Sequence, residues 1–568
     1  MNPPPTILIV GGYGTFGGRI VELLEADAGV TLIVAGRSTA KAEAFCRSRP
    51  GATATLRPAA FDRGGDIDAQ IAKLRPDILI DASGPFQAYG GGRYRVIEGC
   101  IAAGVNYLDL ADGSQFVAGV KAYDDAARAA GVYVLSGASS VPALSAAAVR
   151  RLSRGLRRVD GVRGGIAPSP YARVGANVVR AIAGYCGQPV RMKTGAGETI
   201  GYPFTEQVRY TIAPPGRLPL TNRLFSLVDV PDLQVLSELW PEAREIWFGA
   251  GTVPEILHRC LIALAWLVRW RLVGSLTPIA GLMNQAANTL RWGERRGGMF
   301  VEIVGQDERS SPVTRSWHLL AEGDDGPLIP SMASAAIVRR HLAGRPPAPG
   351  ARAATRDLEL EDYEAFFAGR AISTGLRDDS DHGASLYRRL LGSAYDALPA
   401  EIQALHDATA AEGQASVEHG SGLLARLVAT AARFPTPTPQ TPVRVTFGRI
   451  GASEIWSRLF GEKRFCSEQF EGVGRSDRLL VERFGRLDFS MALVVGAGRL
   501  SLRLRRWTVC GVPMPFGLAP RIEAFESVEG GRFRFNVEIG HPLTGLIVRY
   551  RGWLKPAAPA DAEQQDPS

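Results

Sequence analysis

The chain has 568 residues, a formal net charge of +8 and 46% hydrophobic residues. This length exceeds what one ordinary hydrophobic core can hold, so we expect two or three domains. Only six of the 65 basic residues are lysine, and the arginines are scattered rather than gathered in runs. A nucleic-acid site needs basic residues clustered on one face, so nucleic acid is not an expected partner.

The six cysteines lie far apart, without a C-x-x-C pair or the spacing of metal ligands. The seven histidines are isolated, and neither a nucleophile elbow nor an H-E-x-x-H motif is present. We therefore expect neither a disulfide framework nor a metal site. The first five residues run directly into an apolar segment and leave no room for a signal peptide, which favours a cytoplasmic protein.

A glycine-rich turn follows the first apolar run. Residues 7–10 predict a buried parallel strand, and Gly12, Gly14 and Gly17 then follow in the spacing G-x-G-x-x-G before a helical pattern. In a dinucleotide-binding turn these glycines permit the tight turn, the approach of the pyrophosphate and close helix packing, in that order. The helix N-terminus offers free N–H groups to phosphate. The context therefore predicts a dinucleotide site. Its expected residues are Gly12, Tyr13, Gly14, Thr15, Phe16 and Gly17.

The end of the second strand, residues 31–35, bears on the choice of cofactor. An NAD site would place an acidic residue there to hold the ribose 2′-hydroxyl. This chain places Arg37 there, followed by Ser38 and, one turn later, Lys41. A guanidinium binds a phosphate in bidentate fashion, whereas a carboxylate would repel it. The sequence therefore favours NADP(H) over NAD(H), held by these three residues.

Strand-like and helix-like segments alternate from residue 6 to about residue 152. The predicted strands are residues 7–10, 32–35, 56–61, 77–82, 107–111 and 132–135. Helical segments between them include residues 94–103 and 116–130. This alternation predicts an α/β Rossmann domain with a doubly wound parallel sheet over residues 1–152.

Ligands of such sheets bind beyond the carboxyl ends of the strands, so the loops there are candidates for chemistry. Asp62, after the third strand, is either an acceptor for the adenine amino group or a helix N-cap. Tyr89 and Asp109 are candidate proton donors after the fourth and fifth strands, with Tyr89 as a packing aromatic the alternative. The loop after the fourth strand is expected to pass the nicotinamide ribose with Ser83, Gly84 and Pro85.

These motifs together resemble the saccharopine dehydrogenase-like oxidoreductases. The resemblance rests on the glycine turn and on residues 35–37, 83–86, 89–90, 100–109 and 141–142. It continues to about residue 375, where residues 325–330 resemble the closing segment of the family. The branch with the trans-acting enoyl reductases of lipid synthesis is the most similar. The loop after strand four lacks the polar, histidine-bearing character expected for an amino-acid substrate, so the family name is not carried over as the reaction.

Residues 153–377 predict an α+β domain for substrate binding and dimerisation, with strands at 298–305 and 316–321 and further candidates at 152–165 and 208–213. Residues 256–276 form an apolar segment, but arginines interrupt it too often for a membrane-spanning helix. On a helical wheel His258, Arg259 and Arg269 share one side, flanked by Trp266 and Trp270. Such a helix either lies on a membrane surface or packs on its own core or at a dimer interface.

Residues 369–382 form an acidic linker, and a β-rich third domain is expected over residues 382–558. Helices are predicted at 386–391 and 402–411, and the proline–threonine run 434–439 predicts a stiff connector. The strands predicted beyond it are 443–447, 479–484, 487–495, 500–509, 532–539 and 546–554. Their alternation predicts an antiparallel curved sheet or partial barrel. Residues 453–461 and 545–554 resemble a bacterial domain of unknown function, which could bind an apolar ligand or serve as an accessory module.

Three functions follow. The first is an NADP(H)-dependent oxidoreductase that reduces a carbonyl, enoyl or imine group in a hydrophobic or lipid-derived substrate, as the resemblance implies. The alternative is a non-catalytic NADP-binding protein whose C-terminal domain binds a lipid or small ligand. The third is a scaffold at membranes. A homodimer and a peripheral membrane contact through residues 256–276 are further expectations.

Overall fold

The computed structural model describes residues 4–323, 325–380, 383–432 and 434–557. The chain divides into two compact units, residues Met1–Arg209 with Leu224–Ser373 and residues Tyr210–Arg223 with Thr374–Ser568. The predicted first and second domains thus lie in one unit, apart from residues 210–223 and 374–377. Asp381, His382 and Ala558, which bound the predicted third domain, lie outside the described residues.

The first part of the chain alternates strands and helices as predicted. Its elements are β1 Thr6–Val10, α1 Thr15–Leu24, β2 Thr31–Gly36, α2 Thr39–Arg47, β3 Thr55–Ala60, α3 Ile67–Leu74, β4 Ile78–Asp81, α4 Arg95–Ala102, β5 Asn106–Asp109, α5 Ser114–Gly119, α6 Asp124–Ala129, β6 Tyr133–Ser136 and α7 Ser145–Leu152. The predicted helix 116–130 is divided into α5, a 3₁₀ turn and α6.

The middle of the chain is richer in strands. Its elements are β7 Leu156–Ala167, α8 Ala176–Tyr185, β8 Val190–Thr194, β9 Gly197–Gly201, β10 Gln207–Ile212, β11 Leu220–Leu227, α9 Asp232–Val235, β12 Glu245–Ala250, α10 Glu255–Arg269, α11 Ala280–Thr289, β13 Arg296–Asp307, β14 Pro312–Glu322, α12 Ile329–Leu342, β15 Gly350–Ala353, α13 Glu361–Phe367 and β16 Ile372–Asp378.

The first sheet is parallel, with strand order β15-β6-β5-β4-β1-β2-β3. Its central strands β1 and β2 are buried on both faces, which is why their sequences read as continuous apolar runs. The Rossmann prediction is confirmed. The seventh strand, β15, was not predicted, because it returns to this sheet from residue 350, far from the other six in the sequence.

The second sheet is mixed, in agreement with the α+β prediction. Strand β7 pairs in parallel with β12 and antiparallel with β13, and β13 pairs antiparallel with β14. The predicted strands of the middle region are all present. Within the described part of the chain, no helix combines the length and apolar character that crossing a membrane requires.

The last part of the chain is a barrel preceded by two short helices. Its elements are α14 Leu386–Leu391, α15 Ala400–His406, β17 Ala410–His419, α16 Leu423–Ala431, β18 Thr438–Ile450, β19 Ser453–Phe460, β20 Lys463–Glu471, β21 Leu480–Phe484, β22 Leu487–Gly496, β23 Arg499–Val509, β24 Val512–Pro513, β25 Arg521–Glu529, β26 Arg532–His541 and β27 Gly545–Pro556.

Ten antiparallel strands form this barrel, in the order β22-β21-β20-β19-β18-β17-β27-β26-β25-β23. Pairing of β22 with β23 closes it, and the two-residue β24 adds to the outer end of β23. The antiparallel prediction is confirmed, and the sheet is closed rather than partial. The predicted helix 402–411 ends at His406, because the next residues pair in β17 between β18 and β27. The strand β18 already begins inside the predicted proline–threonine connector.

Candidate functional site

The glycine turn lies between β1 and α1 and is tied to the end of β2. The amides of Gly11 and Gly12 both donate to the Ala35 carbonyl, at 2.8 and 2.9 Å. Gly11 has φ +77°, so it makes the tight turn that the sequence analysis assigned to Gly12. Gly12 is required for packing instead, since an added Cβ would lie 2.8 Å from the Ile9 carbonyl oxygen.

Gly14 and Gly17 take the places expected in a dinucleotide turn. Gly17 is buried, and an added Cβ would collide with the Gly11 carbonyl, so the close packing of α1 depends on it. Gly14 is the exposed N-cap of α1, and an added Cβ would meet only the Gly11 carbonyl oxygen, at 3.0 Å. Thr15 follows, also exposed. The first turn of α1 therefore faces open space and fits a pyrophosphate.

A basic recess lies at the end of β2. The ring of Tyr13 lies against Gly36, and its hydroxyl accepts a hydrogen bond from the Ser38 amide at 3.1 Å. The Ser38 hydroxyl in turn accepts from the Lys41 amide, at 3.4 Å, and caps α2. The side chains of Arg37 and Lys41 are exposed and form no hydrogen bond or ion pair with any residue that the structure describes. They are thus free to bind the 2′-phosphate of NADP.

Asp62 is not the N-cap that was one of its two predicted roles. Helix α3 is capped by Asp66, whose carboxylate accepts from the Ala69 amide at 3.0 Å. The exposed carboxylate of Asp62 accepts instead from the Gly64 amide, at 3.0 Å, in a local turn. Its contact with adenine stays a prediction.

A buried ion pair not predicted from the sequence stands below the loop after β4. Asp81, at the carboxyl end of β4, has no exposed surface and pairs with the guanidinium of Arg63. The same carboxylate accepts hydrogen bonds from the amide and the hydroxyl of Ser83, at 3.0 and 2.5 Å. This arrangement fixes one of the predicted cofactor-binding residues.

Tyr89 belongs to the same network. Its hydroxyl lies 3.0 Å from the Ser83 hydroxyl, and the Arg63 guanidinium lies 3.6 Å from the centre of its ring. Burial, and next the Asp81 carboxylate, raises the pKa of Tyr89 to about 12. The phenol therefore stays protonated at neutral pH. The structure thus brings together Ser83 and Tyr89, two of the candidate residues, and their functional roles stay predictions.

Asp109 is fully buried. Its carboxylate accepts from the Ser136 hydroxyl at 2.8 and 2.9 Å, from the Gly137 amide at 2.8 Å and from the Ala111 amide at 2.9 Å. Burial raises its pKa to about 7, although these hydrogen bonds oppose the shift. The carboxylate holds the ends of β5 and β6 together. Its catalytic role stays a prediction, and its surroundings favour a positioning role.

Two further carboxyl groups were not predicted. Asp112 follows β5 and accepts from the Gln87 side-chain amide at 3.0 Å, and Asp229 follows β11. Burial raises the pKa of Asp112. Burial also raises the pKa of Asp229 to about 6, and the nearby Asp112 carboxylate makes a smaller contribution to that rise. Burial and both carboxylates raise the pKa of Tyr185, which ends α8. This cluster can hold a proton near neutral pH.

Two helices of the middle region cover these loops. Next to the N-terminus of α8, the side-chain amide of Asn177 donates to the Gly84 carbonyl at 2.9 Å. From α12, the hydroxyl of Ser331 donates to the Phe16 carbonyl at 3.2 Å. The predicted cofactor loop and the loop after β4 are therefore both held by the region expected to bind substrate. Pro85 follows Gly84 in the loop after β4 and precedes the buried Phe86.

The polar side predicted for the segment 256–276 is wrong in part. His258 has no exposed surface; its Nε2 lies 2.7 Å from the Ser226 hydroxyl, and its Nδ1 accepts from the Thr252 amide at 2.9 Å. Arg269 donates to the Thr205 hydroxyl at 2.9 Å. These side chains face the protein, because α10 packs its histidine side on the core and not on solvent.

Apart from Ile256 at its start, the exposed large apolar residues of this segment come after the helix, which ends at Arg269. Trp270 is 62% exposed and Leu272 is 70% exposed. Trp266 is half-buried, with its ring 5.3 Å from that of Trp270. The membrane contact stays a prediction, and Trp270 and Leu272 are the most exposed apolar residues that could make it.

No group of three His, Cys, Asp or Glu side chains within the described ranges is arranged to hold a metal ion. All six cysteines are unpaired, and Cys100 and Cys186 are buried.

Two family models match the sequence. Residues 7–135 match the saccharopine dehydrogenase NADP binding domain. Residues 398–554 match a domain of unknown function, DUF4166, which covers most of the barrel. A comparison with curated proteins finds no match.

Several solved structures are similar in fold. Saccharopine dehydrogenase from Saccharomyces cerevisiae is 13% identical, with a TM-score of 0.45, over 66% of this chain and 99% of its own. Biliverdin reductase from Synechocystis, solved with biliverdin and NADP+, is 13% identical, with a TM-score of 0.29, over 64% of this chain and 95% of its own. A secretory abundant heat soluble protein from Ramazzottius varieornatus is 9% identical, with a TM-score of 0.17, over 27% of this chain and 95% of its own.

At these identities and scores, the solved structures support no argument about activity. The family match agrees with the glycine turn, and together they support an NADP-dependent oxidoreductase. The chain joins a saccharopine dehydrogenase NADP-binding domain to a C-terminal DUF4166 domain.

Proposed function

We propose that this protein is an NADP(H)-dependent reductase of a carbonyl, enoyl or imine group in a hydrophobic, lipid-derived substrate. The observation that carries the cofactor part is the pair of exposed basic side chains, Arg37 and Lys41, that stand unpaired at the end of β2. An exposed Arg–Lys pair beside a dinucleotide turn can bind the extra phosphate of NADP. It does not hinder the binding of the other parts of the cofactor.

The residues that would hold the cofactor fit it. The exposed Gly14 and the first turn of α1 would receive the pyrophosphate, and Arg37 and Lys41 the 2′-phosphate. Ser83, held by Asp81, would border the nicotinamide ribose. When bound in its reduced form, NADP would supply a hydride to the substrate.

The chain would supply the proton. Reduction of a carbonyl, enoyl or imine bond adds one hydride and one proton, and the hydroxyl of Tyr89 is the donor that we favour. Its raised pKa keeps the proton in place until the substrate bond accepts charge. Ser83 and Arg63 orient the phenol by a 3.0 Å hydrogen bond and a ring contact at 3.6 Å.

The nature of the substrate follows from charge. The loop from Ser83 to Phe86 carries no charged side chain. This favours an uncharged reacting group on an apolar body over an amino acid.

An NADPH-oxidation screen tests the proposal. Purified protein is mixed with NADPH and with aldehydes, ketones, enoyl thioesters and imines of long and short chain, and the absorbance of NADPH is followed. We expect oxidation with a long-chain compound and little with its short-chain counterpart. Tyr89→Phe should lower the rate by about 10²-fold or more with little change in cofactor affinity. NADPH binding without oxidation of any compound would favour the non-catalytic alternative.

A further inference from the structure

The inside of the C-terminal barrel is only partly filled. Along β26, Phe535, Val537 and Ile539 pack against the apolar core of the barrel, while the residues between them are polar. These three side chains point inward, yet each remains partly exposed. In a filled barrel such positions would be closed off by opposite side chains. The inner face of β26 is therefore partly accessible to solvent.

Another part of the same core is closely filled. Tyr387 and Leu391 of α14 and Ile402 and Leu405 of α15 pack into the core and are at most 2% exposed. These helices occupy the space that side chains of the barrel leave near them. The contrast with β26 means that the open space is a local feature of the barrel and not loose packing throughout.

Two neighbouring strands of the closed barrel pair over only part of their length. Strands β23 and β25 pair only between residues 500–502 and 524–526. Strand β23 nevertheless continues to Val509, and β25 begins at Arg521. Beyond Leu502 the two strands therefore separate. A cleft of about 740 Å³ lies at this separation.

This cleft leads to the inside of the barrel. Leu504 of β23 and Ile522 of β25 both line the cleft, and both also pack against the apolar core. Ile522 is opposite Ile539 of β26, one of the three partly exposed inward residues. The apolar lining of the cleft is thus continuous with the apolar side chains of the inner face of β26. The volume of the cleft is within the range of about 300–1,000 Å³ that is usual for small-molecule pockets.

The outer rim of the cleft is apolar and basic. Phe516, which lines the cleft, is 60% exposed. Arg503 and Arg521 are exposed at the rim and make no ion pair within the residues that the structure describes. Two acidic residues also line the rim. Glu538 forms an ion pair with Arg549 at 2.7 Å, so Glu523 remains to offset the charge of the two arginines. The rim therefore favours an anionic group.

We propose that the C-terminal barrel binds a single amphipathic ligand, an apolar acyl-type chain with an anionic head group. The chain enters between β23 and β25 and lies against Val537 and Ile539, and the head group lies at Arg503 and Arg521. This site is separate from the proposed NADP site and does not depend on it.

Fluorescence titration of the full-length protein with cis-parinaric acid tests the proposal. We expect cis-parinaric acid to bind saturably and oleate to displace it. Oleyl alcohol has the same chain without the charge, and it should displace the probe about tenfold more weakly than oleate does. The double variant Arg503→Glu, Arg521→Glu should weaken oleate displacement about tenfold or more and leave that by oleyl alcohol unchanged. Arg475→Glu, an exposed arginine elsewhere on the barrel, is the matched control and should bind as wild type.

A second variant tests the interior. Val537→Trp should fill the open space and abolish binding of both the acid and the alcohol, with folding checked by circular dichroism. If it does not fold, Ile522→Trp blocks the cleft at a partly exposed position and serves the same purpose. The proposal is overturned if the wild type shows no saturable binding, if the charge-reversed variant binds oleate as tightly as the control, or if a folded Trp variant binds normally. Attachment only to lipid vesicles, without binding of the monomeric acid, would also overturn it.

Discussion

The guanidinium of Arg63 lies 3.6 Å from the centre of the Tyr89 ring while it pairs with the buried carboxylate of Asp81. One arginine thus neutralises a charge below the loop after β4 and covers the aromatic face of the favoured proton donor. Charge balance and orientation of this part of the site depend on the same side chain.

Replacement of Arg63 by alanine should destabilise the first unit. The change leaves the carboxylate of Asp81 buried without its partner, and an uncompensated buried charge costs about 3–5 kcal/mol. Urea unfolding followed by circular dichroism measures the loss. Arg57→Ala, at an exposed arginine of β3, is the control and should change stability by less than about 0.5 kcal/mol. Equal effects of the two substitutions would show that the ion pair contributes little.

Gly14→Val should abolish cofactor binding without unfolding the protein. The added side chain projects from the exposed N-cap of α1 into the space that a pyrophosphate needs, and it meets only one backbone oxygen. Gly17→Val should instead lower the melting temperature, because its Cβ collides with the Gly11 carbonyl. Cofactor titration and thermal unfolding of both variants separate these effects. A folded Gly14→Val protein that still binds NADPH would contradict the assignment of the turn.

Stability of the first unit should fall in mild acid because of His258. Burial lowers its pKa to about 4 from an ordinary 6.5, and its Nδ1 accepts a hydrogen bond that protonation would break. The unfolded chain takes up this proton near pH 6.5, whereas the folded chain resists it until near pH 4. The contribution of His258 to the free energy of unfolding is therefore complete above pH 6.5. It is lost as the pH falls toward 4, and the loss is at most about 3 kcal/mol.

Urea unfolding of the wild type and of His258→Gln at neutral pH and at about pH 5 measures this effect. The stability difference between the two proteins should shrink by about 2 kcal/mol on acidification. The comparison cancels the opposite trend from the buried aspartates, which is common to both proteins. Parallel pH profiles would mean that His258 titrates normally.

The membrane contact predicted for residues 256–276 should depend on Trp270 and Leu272, the two residues of the segment with the largest exposed surface after α10. Wild-type protein should sediment with anionic vesicles, and Trp270→Glu, Leu272→Glu should not. Trp292→Glu, at a residue that is 50% exposed, is the matched control. If none of the proteins sediments, this surface is not a membrane contact.

The parallel core and the glycine turn could be predicted because their signals are local. Buried parallel strands are continuous apolar runs, and the dinucleotide turn has a fixed spacing directly after one of them. Ser83 and Tyr89, six residues apart in one loop, could likewise be placed in one site. Strand β15 could not, because its position beside β6 depends on a chain segment about two hundred residues away.

The site residues that could not be predicted from the sequence were missed for the same reason. Arg63 and Asp81 follow strands that are not neighbours in the sheet, so their pairing depends on the strand order β4-β1-β2-β3. Asp229 comes from a strand that was not predicted. Asp109 was placed at the correct strand end, but its complete burial depends on Ser136 and Gly137, which the fold brings to it.

Helix α10 illustrates another limit. Its periodicity places His258 on one side, flanked by Trp266, but both side chains are compatible with burial. The fold buries the histidine, because Ser226 and the Thr252 amide complete its hydrogen bonds. In the barrel, the alanine-rich start of β17 favours a helix locally, and pairing with two strands overrides that preference.

Calorimetric titration of NADPH and NADH into the wild type, Arg37→Ala and the control Lys73→Ala tests the central claim most directly. We expect the wild type and the control to bind NADPH more tightly than NADH. Arg37→Ala should lose about 1.5–3 kcal/mol of NADPH binding and little NADH binding, since it removes a charge-assisted contact to the 2′-phosphate. Equal binding of both cofactors by the wild type, or an unchanged preference in Arg37→Ala, would contradict the account.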